Sequence, residues 1–149
     1  MGISFFFIIF AAENEKYVVS METIRTFKRK IYAQMLEWKQ TKDGTTALLI
    51  KGARRVGKST IVEEFAKREY ESYIVVDFAD APEALWEAVN HISNRDNFFM
   101  QLQYIYGVRL YERKSVIIFD EIQEAPRGLH CLKYFYENAP EYHVMAAGS

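Results

Sequence analysis

The sequence predicts an α/β fold in which helices cover both faces of a central parallel sheet, giving three layers. Two apolar runs, at residues 45–50 and 115–119, have the length and composition of strands that are buried on both faces. Stretches with apolar residues at helical spacing lie between these runs and two further strand candidates, at 73–78 and 142–147. Strands that alternate with helices are typical of a parallel sheet, and 149 residues suit one domain.

The first helix candidate begins just after Met21 and is amphipathic over about four turns, ending near Gly44. Its apolar side carries Ile24, Phe27, Ile31, Met35 and Trp38. Its basic side carries Arg25, Lys28, Arg29 and Lys30. This basic side could contact nucleic acid, or it could be an ordinary solvated helix surface.

Three more helices are expected in the second half of the chain, at about 82–91, 98–106 and 126–138. Residues 93–96 should separate the first of these helices from the second, and Gly107 should end the second.

A glycine loop follows the first buried strand. Residues 52–60 read Gly-Ala-Arg-Arg-Val-Gly-Lys-Ser-Thr, a complete phosphate-binding pattern between a strand and a helix. Gly52 and Gly57 permit backbone angles and a close approach that a side chain would block. The backbone amides expected to face phosphate oxygens belong to Arg54, Arg55, Val56, Gly57, Lys58, Ser59 and Thr60.

Three side chains of this loop have expected roles of their own. Lys58 should reach the β- and γ-phosphates, and the Ser59 hydroxyl should be a Mg²⁺ ligand. Thr60 should add a contact near the α-phosphate. The loop therefore predicts a nucleoside triphosphate bound together with Mg²⁺.

Two carboxylates end the second buried strand. Asp120 should lie beside the glycine loop, because parallel sheets bind ligands beyond the carboxyl ends of their strands. There it would hold Mg²⁺ directly or through water. Glu121 is the candidate catalytic residue, which would orient and deprotonate the attacking water.

The acidic pair also narrows the class of nucleotide-binding protein. The chain lacks the Asn-Lys-x-Asp motif with which Ras-type GTPases recognise guanine. Small-molecule kinases take a hydroxyl from a second substrate and do not need an acid at position 121. An aspartate followed by glutamate favours an ATPase that activates water, so the expected ligands are ATP or ADP with Mg²⁺.

Composition and cysteine usage set further limits. The net charge is −1 and the pI is near 6.3, so no overall basic field indicates nucleic acid. The single cysteine, Cys131, excludes an intramolecular disulfide and suits the cytoplasm; it lies in an apolar helical stretch typical of a core. His91, His130 and His143 lack metal-like spacing and are interpreted as ordinary surface or half-buried residues.

Residues 1–20 differ from the rest of the chain. Their apolar run, at residues 3–12, is too short to span a bilayer as a helix and has no Lys or Arg before it. We expect a leader or a disordered extension without stable membrane insertion, with Met21 as a candidate natural start. A peripheral membrane contact is the alternative. The folded ATPase core is expected to be residues 21–149.

Three segments resemble a known family. They are the phosphate loop at 52–60, the string Phe119-Asp120-Glu121-Ile122-Gln123, and the closing Ala146-Ala147-Gly148-Ser149. With this spacing they are similar to the AAA-type ATPases of bacteria and archaea that carry a C-terminal restriction-nuclease-like domain. The resemblance covers about residues 21–149. It implies a P-loop NTPase fold of the additional-strand type.

The resemblance also assigns site residues. It implies that Lys58, Ser59 and Thr60 bind the nucleotide and Mg²⁺. It also implies that Asp120 binds Mg²⁺ and that Glu121 activates the catalytic water. It places Gln123 on the γ-phosphate side without a defined role. Ser149 is the remaining candidate for a γ-phosphate sensor, because Ala147 stands where the family commonly has threonine.

Parts of the family pattern cannot be fitted to this chain. A fifth strand, a helical lid and the C-terminal domain have no counterpart after Ser149, so the sheet is expected to stop after its fourth strand. The strand at 45–50 should then be an exposed edge that favours self-association, and hydrolysis by this chain alone should be slow or absent. Arg113 and Arg127 are candidate arginine fingers, acting on a neighbouring subunit.

Three functions are compatible with these residues. The first is an ATP-hydrolysing AAA-like domain, for which Glu121 matters for turnover and not for binding. The second is a nucleotide-dependent switch that changes partner contacts with negligible turnover. The third is a nucleic-acid-associated module, suggested by Arg54, Arg55 and the basic helix side at 25–30.

Overall fold

A computed structural model of the chain describes residues 5–10, 21–52 and 58–148. Its strands are β1 (Phe5–Phe10), β2 (Ala47–Gly52), β3 (Ser72–Asp77), β4 (Ser115–Asp120) and β5 (His143–Gly148). Its helices are α1 (Met21–Lys42), α2 (Lys58–Glu69), α3 (Glu83–Asn90), α4 (Arg95–Tyr106) and α5 (Gly128–Asn138). A short 3-10 turn, Ile122–Glu124, joins β4 to α5.

The strands form one sheet in the order β1-β2-β5-β4-β3, and all neighbouring pairs are parallel. In the central pairs Ile50 lies opposite Ala147, and Ile118 lies opposite Met145. The predicted α/β fold with a parallel sheet is therefore confirmed, with four strands from β2 onward. Because all the strands run the same way, their carboxyl ends lie at one edge of the sheet.

Two apolar cores cover the two faces of the sheet. On one face, Leu48, Ile118 and Met145 pack with residues of α1 and α2, including Trp38 and Phe65. The other face packs against α3, α4 and α5 through a second cluster that includes Leu85, Phe98, Phe135, Ile117 and Phe119. Alternate residues of each buried strand point to opposite faces, as the three-layer arrangement requires.

The helix ends differ from the predicted ones where local hydrogen bonds decide them. Helix α1 has 22 residues and is longer than the predicted four turns. Asn94 caps α4 by accepting from the Asn97 amide at 3.2 Å, so Arg95 and Asp96 belong to that helix and not to the predicted break. Gly107 ends α4, as predicted, and the structure gives it a left-handed backbone.

Residues 5–10 lie in the segment expected to be a leader or a disordered extension. They form β1, which pairs with β2 from Phe5 opposite Ala47 to Phe10 opposite Gly52. The expectation of an exposed edge on the first buried strand is therefore wrong, because β1 occupies that side of β2. Phenylalanine and isoleucine have high strand propensity, which explains why this run can extend the sheet.

Cys131 is buried, as predicted for a core residue. Its burial raises the pKa of the thiol to about 11, so the thiolate required for nucleophilic chemistry is disfavoured at neutral pH. Among the described residues, no helix has both the length and the apolar character needed to cross a bilayer.

His143 is buried at the start of β5, so its interpretation as a surface or half-buried residue is wrong. Its Nδ1 lies 2.7 Å from the Tyr70 hydroxyl, and its Nε2 lies 2.9 Å from Oδ1 of Asp43. Burial lowers the pKa of His143, and Lys39 and Arg113 act in the same direction, while Asp43 opposes them. His91 and His130 are exposed, as predicted.

This buried histidine should make stability depend on pH. Its folded-state pKa is lowered, so below about pH 6.5 the unfolded chain binds the proton more readily than the folded chain. We expect the free energy of unfolding to fall as the pH is lowered from 7.5 to 5.5, measured by urea unfolding.

The pH dependence should be shallower in His143→Gln and unchanged in His130→Gln, the exposed control. The same pH dependence in His143→Gln as in the parent chain would show that His143 does not cause it.

Candidate functional site

The carboxyl ends of the strands bring the predicted site residues to one edge of the sheet. Strand β2 ends at Gly52, β4 ends at Asp120, and β5 ends at Gly148. Asp77, the last residue of β3, is in register with Asp120. Because ligands of open parallel sheets bind beyond this edge, it is the candidate functional site.

The phosphate loop is described at its two ends. Gly52 is the last residue of β2, and Lys58 is the first residue of α2 with only 3% of its surface exposed. Ser59 and Thr60 follow in the first turn of α2 and are exposed. The predicted phosphate contacts of Arg54, Arg55, Val56 and Gly57 lie outside the described residues, as does the sensor candidate Ser149.

One hydrogen bond joins the start of α2 to the end of β4. The Ser59 hydroxyl donates to Oδ2 of Asp120 at 2.9 Å, across a separation of 61 residues in the chain. The other carboxylate oxygen, Oδ1, accepts from the backbone amide of Glu121 at 2.9 Å. The Asp120 carboxylate is therefore fixed through both oxygens and directed toward the first turn of α2.

Glu121 has a left-handed backbone, with φ 52° and ψ 47°. This conformation is disfavoured for a residue with a Cβ atom, and such residues concentrate at functional sites. It allows the chain to turn sharply out of β4 into the 3-10 turn, where the Glu124 amide donates to the Glu121 carbonyl at 2.9 Å. The half-buried Glu121 side chain accepts a hydrogen bond from Nε2 of Gln123.

The structure separates the two arginine-finger candidates. Arg113 pairs with Asp43 at 2.8 Å near the amino-terminal end of the sheet, opposite the candidate site. Arg127 immediately precedes α5, a short distance along the chain from Glu121. Within one chain, Arg113 therefore lies far from the residues that the sequence assigned to nucleotide.

At the end of β5, position 147 offers no polar side chain that could sense the γ-phosphate. Ala147 is fully buried in the sheet and contributes no polar atom. The next residue, Gly148, lies against the 3-10 turn, with Ile122 and Gln123 nearest to the position of a Cβ atom. This contact between Gly148 and Gln123 joins the ends of β4 and β5, and it was not predicted from the sequence.

The fold and the site together define a domain of the P-loop NTPase type. The features that define it are the parallel sheet, the helix that starts at Lys58, and the contact between Ser59 and Asp120. A family model described as an AAA domain matches residues 44–149, which is most of the chain. The chain belongs to this family of AAA domains. A comparison with curated proteins gave no match. Family membership indicates nucleotide binding, in agreement with the prediction from the phosphate loop.

Proposed function

We propose that this domain binds ATP together with Mg²⁺ at the carboxyl edge of the sheet and hydrolyses the ATP. The observation that carries the proposal is the 2.9 Å hydrogen bond between Ser59 and Asp120. It joins the two residues whose sequence positions suggested Mg²⁺, although 61 residues separate them in the chain. If the phosphate-loop pattern were a chance match, we would not expect Ser59 of that loop to contact Asp120 at the end of a different strand.

Phosphate binding is supported by the position of Lys58. Its ammonium group is carried by the first residue of α2, where the helix dipole also favours an anion. Because Lys58 is buried, its positive charge would be weakly screened by water and would interact strongly with the β- and γ-phosphates. Gly52 and the backbone of residues 54–60 would complete the phosphate site.

The residues at this edge fit a Mg²⁺ ion that is shared with the nucleotide. Mg²⁺ is typically held by one or two carboxylates with substrate phosphates and water, and Ser59 with Asp120 offers such a partial set. Among the described residues, no cluster of three or more His, Cys, Asp or Glu side chains could hold a metal without a nucleotide. Bound Mg²⁺ would neutralise charge on the phosphate oxygens.

Glu121 is proposed as the general base for hydrolysis. Its carboxylate would accept a proton from water as the water oxygen bonds to the γ-phosphorus. The bond from that phosphorus to the oxygen bridging the β- and γ-phosphates breaks, so ATP and water give ADP and phosphate. The left-handed turn supports this role, because it turns the chain at Glu121 immediately beyond the Asp120 carboxylate.

Replacing Asp120 tests the shared-ion proposal. We expect Asp120→Asn to reduce the effect of Mg²⁺ on ATP affinity by about tenfold or more, while Mg²⁺-free binding stays the same or becomes tighter because a negative charge near the phosphates is removed. Asparagine keeps the shape of the side chain but lacks its negative charge. Titration of a fluorescent ATP analogue with and without Mg²⁺ measures both affinities.

Asp96→Asn, at an exposed position of α4, is the matched control for this titration. An undiminished effect of Mg²⁺ in Asp120→Asn would contradict the assignment of Asp120.

A nucleotide-dependent switch with negligible turnover is the alternative outcome of the same assays: it requires Mg²⁺-dependent binding without release of phosphate. The nuclease-like partner domain implied by the resemblance and a cytoplasmic location stay predictions, whereas the exposed edge on which self-association depended is covered by β1. The basic residues Arg25, Lys28, Arg29 and Lys30 are exposed. Exposure fits a solvated helix surface as well as a nucleic-acid contact, and the net charge of −1 gives no overall basic field, so no nucleic-acid function is proposed.

A further inference from the structure

Gln123 lies between the ends of two neighbouring strands. Its Nε2 donates to Oε2 of Glu121, which follows β4. Its Oε1 lies 2.6 Å from the position that a Cβ atom on Gly148 would occupy, at the end of β5. The amide of Gln123 therefore fills the space left by the missing side chain of residue 148 and reaches the carboxylate from there.

We propose that Gln123 is a positioning residue that holds the Glu121 carboxylate where it can deprotonate the water that attacks the γ-phosphorus. Glycine at 148 is required for this arrangement. The inference rests on the proposed hydrolytic function of Glu121. It assigns a role to Gln123 and Gly148, neither of which contacts the phosphates in the proposed mechanism.

The chemistry of the hydrogen bond suits a positioning role. A glutamate side chain rotates about several bonds, whereas a general base must lie within hydrogen-bond reach of the water that it deprotonates. The Gln123 N–H group fixes Oε2 of Glu121. The other carboxylate oxygen of Glu121, its Oε1, does not take part in this bond and would accept the proton from water. A glutamine is neutral, so it orients the carboxylate without adding a charge that competes for the Mg²⁺ site.

Gly148 provides an independent way to disturb this contact. A Cβ atom at 148 would meet Oε1 of Gln123 at 2.6 Å and Cγ2 of Ile122 at 2.9 Å, and both atoms lie in side chains. Alanine at 148 should therefore displace the end of the Gln123 side chain, and the buried Ile122 must also shift to admit the methyl group. Gly148→Ala and Gln123→Leu should have the same effect on Glu121.

The test compares steady-state ATP hydrolysis and ATP affinity in the parent chain, Gln123→Leu, Gly148→Ala and the double variant. We expect each single variant to lower kcat by about ten- to a hundredfold, because misplacing a reacting group by an ångström costs up to this much. ATP affinity should stay within about twofold, since no phosphate contact is lost. The double variant should be no slower than the slower single variant, because both changes remove one contact.

A solution measurement of the contact accompanies the kinetics. The side-chain amide resonance of Gln123 should shift in Glu121→Ala and in Gly148→Ala, and should stay in place in Glu87→Ala, an exposed control on α3. Gln101→Leu, at an exposed position of α4, is the control for the kinetic effect.

The outcomes separate this inference from the proposed function. Unchanged or increased kcat in Gln123→Leu, with turnover that still requires Glu121, would overturn the positioning role alone. Additive losses in the double variant would also overturn it. Turnover that is absent from the parent chain, or that does not require Glu121, would overturn the proposed hydrolysis and this inference together.

Discussion

Glu121→Gln should lower the turnover of ATP by about 10²- to 10⁴-fold while ATP affinity changes little. Glutamine has nearly the same shape as glutamate, but it cannot accept a proton from the attacking water. The expected loss therefore falls on kcat, which release of phosphate at saturating Mg·ATP measures. Binding of a fluorescent ATP analogue gives the affinity in parallel.

Glu87→Gln is the matched control for this variant, since Glu87 is an exposed glutamate on α3. It should retain the turnover of the parent chain. Equal turnover in Glu121→Gln and the parent chain would show that Glu121 is not the general base. Loss of ATP affinity in Glu121→Gln would instead indicate a role in binding.

Lys58→Ala should weaken Mg·ATP binding by about 10- to 100-fold, the range expected when a hydrogen-bonding charged group is removed. The buried ammonium at the start of α2 would be the strongest positive charge facing the phosphates. Titration of the fluorescent analogue measures the loss, and circular dichroism establishes that the variant is folded.

The control for this change is Lys67→Ala, which removes an exposed lysine from the last turn of the same helix. The Lys67→Ala variant should bind Mg·ATP as tightly as the parent chain does. If Lys58→Ala is folded and binds Mg·ATP as tightly as the parent chain, the phosphate-loop assignment is wrong.

The central sheet could be predicted because its strands are buried on both faces. Runs such as 116–119 are then apolar throughout, which is typical of a strand with both faces covered. The predicted strand boundaries are wrong by a residue or two where a turn competes with a strand. Residue 45 was assigned to the strand, but the Thr45 amide donates to the Lys42 carbonyl at 2.9 Å, so β2 begins at Ala47.

The site could be predicted as far as its motifs reach. The order of strand, loop and helix specified Lys58 and Ser59, and a strand ending in acids specified Asp120. The contact of Ser59 with Asp120 follows from the parallel arrangement of β2 and β4, which the sequence also predicted. The phosphate contacts of residues 54–57 stay predictions.

Other features depend on residues that are distant in the chain and share no sequence pattern. His143 is hydrogen-bonded to Tyr70 and Asp43, which are 73 and 100 residues away in the chain. The contact of Gln123 with Gly148 arises from the 3-10 turn after β4 and from the register of β5 beside β4. Pairing of β1 with β2 could not be predicted, because a short apolar run at residues 5–10 also suits a leader.

The most direct test of nucleotide binding is a titration of the isotopically labelled parent chain with Mg·ATP, followed through its backbone amide resonances. The account predicts the largest shifts at Ser59, Thr60 and Glu121, with small shifts near Asp43 and His143 at the opposite end of the sheet. Resonances that stay unchanged at millimolar Mg·ATP, or shifts that are largest near His143, would contradict the account.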